Sequence, residues 1–148
     1  MTLQVVETQD IAACRALRRV VFIEEQGVSL ADEVDGRDGE ARHLLAVLDG
    51  VAVGTARLLS EGAVGKIGRV CVLAHLRGQG VGAALIRAAV GLFGDAPGIR
   101  KVKLGAQTHA LAFYEQFGFL AVGEVYQDAG MPHRDMVMDL SAKACGAG

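Results

Sequence analysis

Two hydrophobic periods alternate along this chain. Leu3 to Val6 is a short β-rich run, and Asp10 then stands where a helix N-cap belongs, ahead of Ile11, Cys14, Leu17 and Val21 at helical spacing. Arg15, Arg18 and Arg19 are predicted to fall on the polar side of that helix. Residues 24–40 break the pattern: they hold seven of the 17 acidic residues (Glu24, Glu25, Asp32, Glu33, Asp35, Asp38, Glu40) against Arg37 alone, which predicts a loop or a short irregular helix. His43 to Leu48 and Val51 to Leu59 are β-rich runs joined by Asp49-Gly50, a pair that supplies the positive φ angles of a two-residue hairpin turn. A strand over Val64 to Leu73 leads through HLRGQGVG into an Ala- and Leu-rich helix that reaches Phe93, where Gly94, Pro97 and Gly98 end it. Lys101 to Leu104 reads as a strand. A helix over Thr108 to Phe117 places His109, Ala110, Phe113 and Phe117 on one stripe, with Gly118 as its left-handed cap. Leu120 to Tyr126 and Asp135 to Leu140 read as two strands around a DAGMPH turn.

This order predicts one mixed sheet covered by helices, with a parallel strand-helix-strand unit from Ile67 to Leu104. The 148 residues, 51% hydrophobic and 22% charged with two prolines, suit a single domain over residues 1–140. The tail SAKACGAG is expected to fray. Fifteen basic and 17 acidic residues leave a net charge of −2, so no overall positive field draws a nucleic-acid backbone or an anionic membrane. No apolar stretch approaches the ~20 residues that span a bilayer, and MTLQVVETQD is unlike a signal peptide, so a cytoplasmic location is expected. Cys14, Cys71 and Cys145 are widely spaced with no CxxC pair, which predicts reduced packing thiols and no metal site.

The most informative segment is Arg77-Gly78-Gln79-Gly80-Val81-Gly82, at a strand-to-helix junction. The first amides of a helix lack intrahelical acceptors and carry the positive end of its dipole, so glycines there let a phosphate approach bare N–H groups, and Arg77 offers a cation beside them. No Gly-Lys-Ser/Thr ending follows, which argues against a nucleoside triphosphate loop. Gly78-x-Gly80-x-x-Ala83 fits a dinucleotide fingerprint, but the region about 20 residues on, where an acidic residue should meet the ribose, reads Lys101-Val102-Lys103.

These residues resemble the GNAT superfamily of acetyl-CoA-dependent N-acetyltransferases, whose signature Q/R-x-x-G-x-G/A is matched by Arg77 to Gly82. A second block, Ala110-Leu111-Ala112-Phe113-Tyr114-Glu115-Gln116-Phe117-Gly118-Phe119, is similar to that family's A-x-x-x-Y-x-x-x-G-F. Arg18 to Gln26 resembles the R-x-x-V-F-x-x-E-Q block of a bacterial subgroup, as do Glu33 to Gly36, Gly105 to Gln107 and Ala129 to His133. The resemblance implies an α/β (α+β) fold with a single mixed, mostly antiparallel sheet of six to seven strands and about four helices. It also implies acetyl-CoA as acetyl donor, with pantetheine along Val70, Cys71 and Val72 and pyrophosphate on the amides of Gln79, Gly80, Val81 and Gly82. Tyr114 takes the place of the family's tyrosine that protonates the departing thiolate, a task that a phenol with an ordinary pKa near ~10 can perform at neutral pH. Two departures stand out: Gln107 replaces a frequent cofactor-contacting asparagine, and Lys66 to Leu73 holds no carboxylate to take the amine proton.

An alkylammonium must lose a proton before it attacks a thioester, so another acceptor is needed. Glu25, Asp35, His43, His109 and His133 are candidates, with Glu25 first because it follows an apolar helix, and His109 read instead as a packing histidine on the apolar stripe. Glu25, Asp35 and His133 also stand as candidate acceptor-binding residues, and the acidic segment can draw a cationic acceptor. Arg57 and Arg69 lie in predicted strands, where charge needs a partner such as Glu25 or Asp35. Cys71 has no histidine placed beside it and reads as packing rather than as a nucleophile. The expected reaction is direct acetyl transfer to a small-molecule or peptide amine. A non-catalytic acyl-CoA-binding module and a dinucleotide-binding oxidoreductase stay open as alternatives, and a homodimer is compatible with the sequence.

Overall fold

The computed structural model describes residues 2–140, so the tail and Cys145 lie outside the described residues. Among the described residues, seven strands form one sheet in the order β1-β2-β3-β4-β5-β7-β6. They are β1 (Leu3–Thr8), β2 (Arg42–Leu48), β3 (Val51–Glu61), β4 (Val64–Val72), β5 (Lys101–Gln107), β6 (Leu120–Asp128) and β7 (Met131–Asp139). Every neighbouring pair is antiparallel except β4 and β5, which run parallel because α3 (Val81–Asp95) connects them. This is the mixed, mostly antiparallel sheet that the resemblance implies. The β2–β3 hairpin turns at Asp49 (φ 50°) and Gly50 (φ 84°), both in the left-handed region as the dipeptide requires. The last hairpin turns at Ala129 (φ 52°) and Gly130 (φ 76°) alone, so Met131, Pro132 and His133 belong to β7 rather than to the predicted turn.

The two faces of the sheet differ in chemistry. On one, α3 buries Val81, Leu85, Ile86, Ala89 and Phe93 against Leu44, Ala56, Leu58, Val102 and Leu104, an apolar core. Gly65 on β4 admits the Phe93 ring, because a Cβ there would lie 2.5 Å from it. On the other face lies α1 (Ile11–Arg18), capped by the Asp10 side chain accepting from the Ala13 N–H. Cys14, Leu17 and Val21 are buried there, but so is Arg18, at 1% exposure. Arg18 therefore departs from its expected place on the polar side of the helix.

Arg18 is buried because the acidic segment folds over it. That segment forms α2 (Leu30–Glu33), capped by Ser29, and a 3₁₀ turn at Asp38–Glu40. Arg18 pairs with Glu33 through its Nε and with Asp38 through Nη1 at 2.9 Å, and Arg15 donates to Asp38 at 2.9 Å. Arg57 donates two bonds to Asp35, at 2.7 and 2.8 Å, and a third to Asp38 at 3.2 Å. Breaking one partner of such a buried network typically costs about 3–5 kcal/mol, since the other charge is left uncompensated. The expected pairing of Arg57 and Arg69 thus falls on Asp35 and not on Glu25. The same pairing corrects the expectation of a free acidic field, for the carboxylates of residues 33, 35 and 38 are spent on arginines.

Candidate active site

β4 and β5 pair only from Val64↔Lys101 to Ile67↔Leu104. Beyond that point β4 stays with β3, up to Val72↔Gly54, and β5 stays with β7, up to Gln107↔His133, so the two parallel strands part. The register of β4 on β3 shifts between Thr55 and Arg57, opposite Arg69, whose φ is 49°. An extra residue in one strand raises local twist and turns it away from its neighbour. Arg69 is held there by its guanidinium, which donates to the Glu33 carbonyl at 3.0 Å and reaches Asp35 at 3.4 Å. No feature of the sequence beyond an arginine in a predicted strand signals this bulge.

A cavity of about 390 Å³ opens at the parting. Gly68, Val70 and Gly105 line its strand walls, and Phe22, Gln26 and Asp32 close one side. Tyr114, His109, Tyr126, Asp128 and His133 complete it. Phe22 and Gln26 arrive by way of a π-helical turn over Arg19–Glu25 that continues α1, in which the Gln26 N–H bonds Val21 O at 3.1 Å. Such a turn takes one more residue than an α-turn and re-aims the side chains after it. Val21 consequently packs on Cys71 while Phe22 meets the cavity.

The glycine loop lies at the start of α3. Gly78 (φ 78°) and Gly80 (φ 87°) are both left-handed, and beyond their chain neighbours no atom of the described residues lies within 4 Å of where a Cβ would stand, so open space lies above the loop backbone. The Ala84 N–H to Gly80 O bond, 3.0 Å, leaves the amides of Val81, Gly82 and Ala83 ahead of it without helical acceptors. These features fit an anionic ligand laid on the loop. Arg77 is engaged otherwise: its guanidinium holds both carboxylate oxygens of Glu25, one at 2.7 Å, and its Nε–H donates to Val72 O at 3.2 Å. The cation expected beside the phosphate is therefore already compensated.

That pairing also corrects the role expected of Glu25. Glu25 is exposed, absent from the cavity lining, and kept below the usual carboxylate range by the hydrogen bonds from Arg77, which makes it a poor proton acceptor. Asp35, held well below its ordinary range by Arg57, and His43, buried with Nε2 against Asp38 O at 2.9 Å, likewise do not line the cavity. His133 does, stacked on Tyr126 at 6.0 Å between ring centroids with Nδ1 2.8 Å from Met131 O. His109 does too. It is exposed rather than packed in an apolar stripe, because the predicted helix divides into a 3₁₀ turn (Thr108–Ala110) and α4 (Leu111–Glu115).

Tyr114 on α4 meets Phe113 and Phe119 edge to face, at 5.0 and 6.3 Å between centroids. Burial pushes its phenol up to about 12, and its hydroxyl bonds no described residue. The Cys71 thiol is buried with Leu17 and Val21, and desolvation pushes it up to about 12, so it is no thiolate nucleophile. Among the described residues, no group of three His, Cys, Asp or Glu side chains is arranged to hold a metal, and no helix is long and apolar enough to cross a membrane.

The family model of the acetyltransferase (GNAT) domain matches residues 16–140. The chain belongs to the GNAT acetyltransferase family. Among its GNAT relatives, the Bacillus subtilis protein named as the uncharacterized N-acetyltransferase YjcF is 34% identical over 124 residues, 83% of this chain and 88% of its own. The crystal structure of an acyl-CoA N-acyltransferase from Pseudomonas aeruginosa matches with a TM-score of 0.81 at 33% identity, over 93% of this chain and 99% of that one. Escherichia coli ElaA matches with a TM-score of 0.80 at 33% identity, over 93% and 98%. The parted strands, the glycine loop and Tyr114 thus lie within a GNAT domain.

Proposed function

We propose that this GNAT domain transfers the acetyl group of acetyl-CoA directly to an amine of a small molecule or peptide. The observation that carries this reading is the parting of β4 and β5, with helix amides that lack helical acceptors and glycine backbone at the loop, and with Tyr114, whose hydroxyl has no hydrogen bond among the described residues, lining the cavity. The relative named an acyl-CoA N-acyltransferase supports the class of donor.

When bound, acetyl-CoA supplies an activated acyl carbon and a thiolate leaving group. The amides of Gln79, Gly80, Val81 and Gly82 would hold the pyrophosphate, with charge-assisted hydrogen bonds at the positive end of α3. Val70, Cys71 and Val72 would hold the pantetheine arm. Cys71 would contribute its backbone alone, since its thiol is buried on the α1 side. The Val72 carbonyl is occupied by Arg77, so Arg77 and Glu25 brace the loop against the π-helical turn. Gln107, on β5 across the gap, has its amide committed to Gln26 and His109 rather than to a donor contact. Tyr114 would give its proton to the departing sulfur, and a phenol pushed up to about 12 remains protonated at every pH near neutrality.

His133 and Tyr126 would form an aromatic wall of the acceptor site. Asp32 and Asp128 line the same cavity, and their carboxylates make no hydrogen bond or ion pair among the described residues, so they favour an acceptor that arrives as an ammonium ion. Calorimetric titration separates this reading from a dinucleotide enzyme. Saturable binding of acetyl-CoA with none of NADH is expected, and binding of NADH alone would assign the glycine loop to a dinucleotide.

A further inference from the structure

The reaction needs a proton acceptor, and the carboxylate on β4 that would serve is missing from this sequence. We infer that His109 is the general base, presented through Nδ1 by a hydrogen-bond chain that runs from Gln26 through Gln107. The inference rests on the N-acetyltransferase reading above and concerns the same cavity.

The chain fixes which nitrogen of His109 carries the proton. Gln107 Nε2 donates to Gln26 Oε1 at 3.4 Å, so the atom that Gln107 turns toward His109 is its carbonyl Oε1. An amide oxygen only accepts, hence His109 Nε2, 2.6 Å away, is the protonated nitrogen. Nδ1 is left with its lone pair and no described partner, on a ring that lines the cavity. Once Nδ1 takes a proton, the Gln107 oxygen faces the imidazolium through Nε2–H and stabilises it. The arrangement is that of a base oriented by a third group. An exposed ring can also pass the proton on to solvent.

Other charged or titratable groups line the same cavity: Asp32 and Glu33 from α2, Arg69 from β4, Asp128 from β6 and His133 from β7. Glu33 is spent on Arg18. Arg69 is engaged with the Glu33 carbonyl and Asp35. His133 also has one nitrogen committed, but to the carbonyl of Met131 on its own strand, and its ring stacks on Tyr126, an arrangement suited to a wall. His109 instead belongs to the segment that carries Tyr114, so base and acid come from one short stretch of chain.

The proton balance closes. His109 Nδ1 takes one proton from the alkylammonium acceptor, and the neutral nitrogen forms its bond to the acyl carbon. The carbon–sulfur bond breaks, and its electron pair leaves on sulfur, which takes the Tyr114 proton. The second proton released by the nitrogen returns to the Tyr114 oxygen, and His109 gives the first to water. An ammonium ion and an acyl-CoA thioester thus become an amide, a free thiol and one proton.

The first test uses the protein without donor. Nitrogen-15 NMR of the imidazoles should show the Nε2–H tautomer at His109, and this preference should vanish in Gln107→Leu. An Nδ1–H tautomer in the wild type would overturn the assignment. The second follows kcat/KM for the amine against pH, with saturating acetyl-CoA and a panel of primary amines. The wild-type rate should fall on the acid side, where the base already carries its proton. His109→Gln should lose about 10²-fold or more and lose that acid limb. Gln107→Glu should move the limb to higher pH, because a carboxylate beside Nε2–H favours the imidazolium. His133→Gln should raise KM for the amine and keep the limb. An acid limb retained in His109→Gln overturns the base and leaves the acetyltransferase reading standing. A wild type that binds acetyl-CoA and acetylates none of the amines overturns both.

Discussion

Replacing Gly80 with aspartate is expected to abolish saturable binding of acetyl-CoA in a calorimetric titration, while the far-ultraviolet circular dichroism spectrum stays that of the wild type. Two separate penalties act at this position. Gly80 is the N-cap of α3 with φ at 87°, a conformation that costs a side-chain-bearing residue about 1–2 kcal/mol. Beyond its chain neighbours, no atom of the described residues lies within 4 Å of the new Cβ, so the side chain enters the open space above the loop, where the pyrophosphate would rest, and brings a negative charge against a negative ligand. The fold should survive, because α3 is anchored through Leu85, Ile86, Ala89 and Phe93. Gly80→Ala separates the two effects. It keeps the strain without the charge, and should weaken binding by about tenfold, the equivalent of 1.4 kcal/mol. Normal affinity in Gly80→Asp would place the donor elsewhere on the molecule.

Tyr114→Phe should lower kcat by about 10²- to 10⁴-fold, the usual range for the loss of a general acid, with little change in the affinity for acetyl-CoA. The ring contacts with Phe113 and Phe119 remain in the variant, and the deleted hydroxyl has no hydrogen bond among the described residues, so stability should hardly change. Because burial pushes the phenol up to about 12, Tyr114 should impose no limb on the pH profile near neutrality. A fall in rate matched by an equal fall in donor affinity would make Tyr114 a binding residue rather than an acid.

What could be read from the sequence was whatever local chemistry determines. The Asp49-Gly50 turn, the Asp10 cap, the parallel pair around α3 and the glycine loop all rest on residues whose conformational preferences act over a few positions. Tertiary pairing was not legible. Arg18 sits at a helical position that reads as polar, and only the fold of the acidic segment, which brings Glu33 and Asp38 to it from 15 and 20 residues away, makes its burial stable. The sequence neighbours of Glu25 suggest partial burial, whereas Arg77, 52 residues on, pairs with its carboxylate and keeps it ionised. His109 departs from its expected place for a related reason. A uniform helix would have placed it on the apolar stripe, but the 3₁₀ turn ahead of α4 leaves it exposed beside Gln107. The site therefore differs most from expectation where a polar side chain is governed by a distant partner. It agrees best where backbone geometry alone is at stake.

Amine-dependent release of free thiol from acetyl-CoA, followed with mass detection of the acetylated product across a panel of mono-, di- and polyamines, tests the central claim most directly. Thiol and N-acetylated product should appear in equal amounts, with negligible thiol release when no amine is present. Saturable binding of acetyl-CoA without thiol release for any amine would contradict the account and leave the protein as an acyl-CoA-binding module.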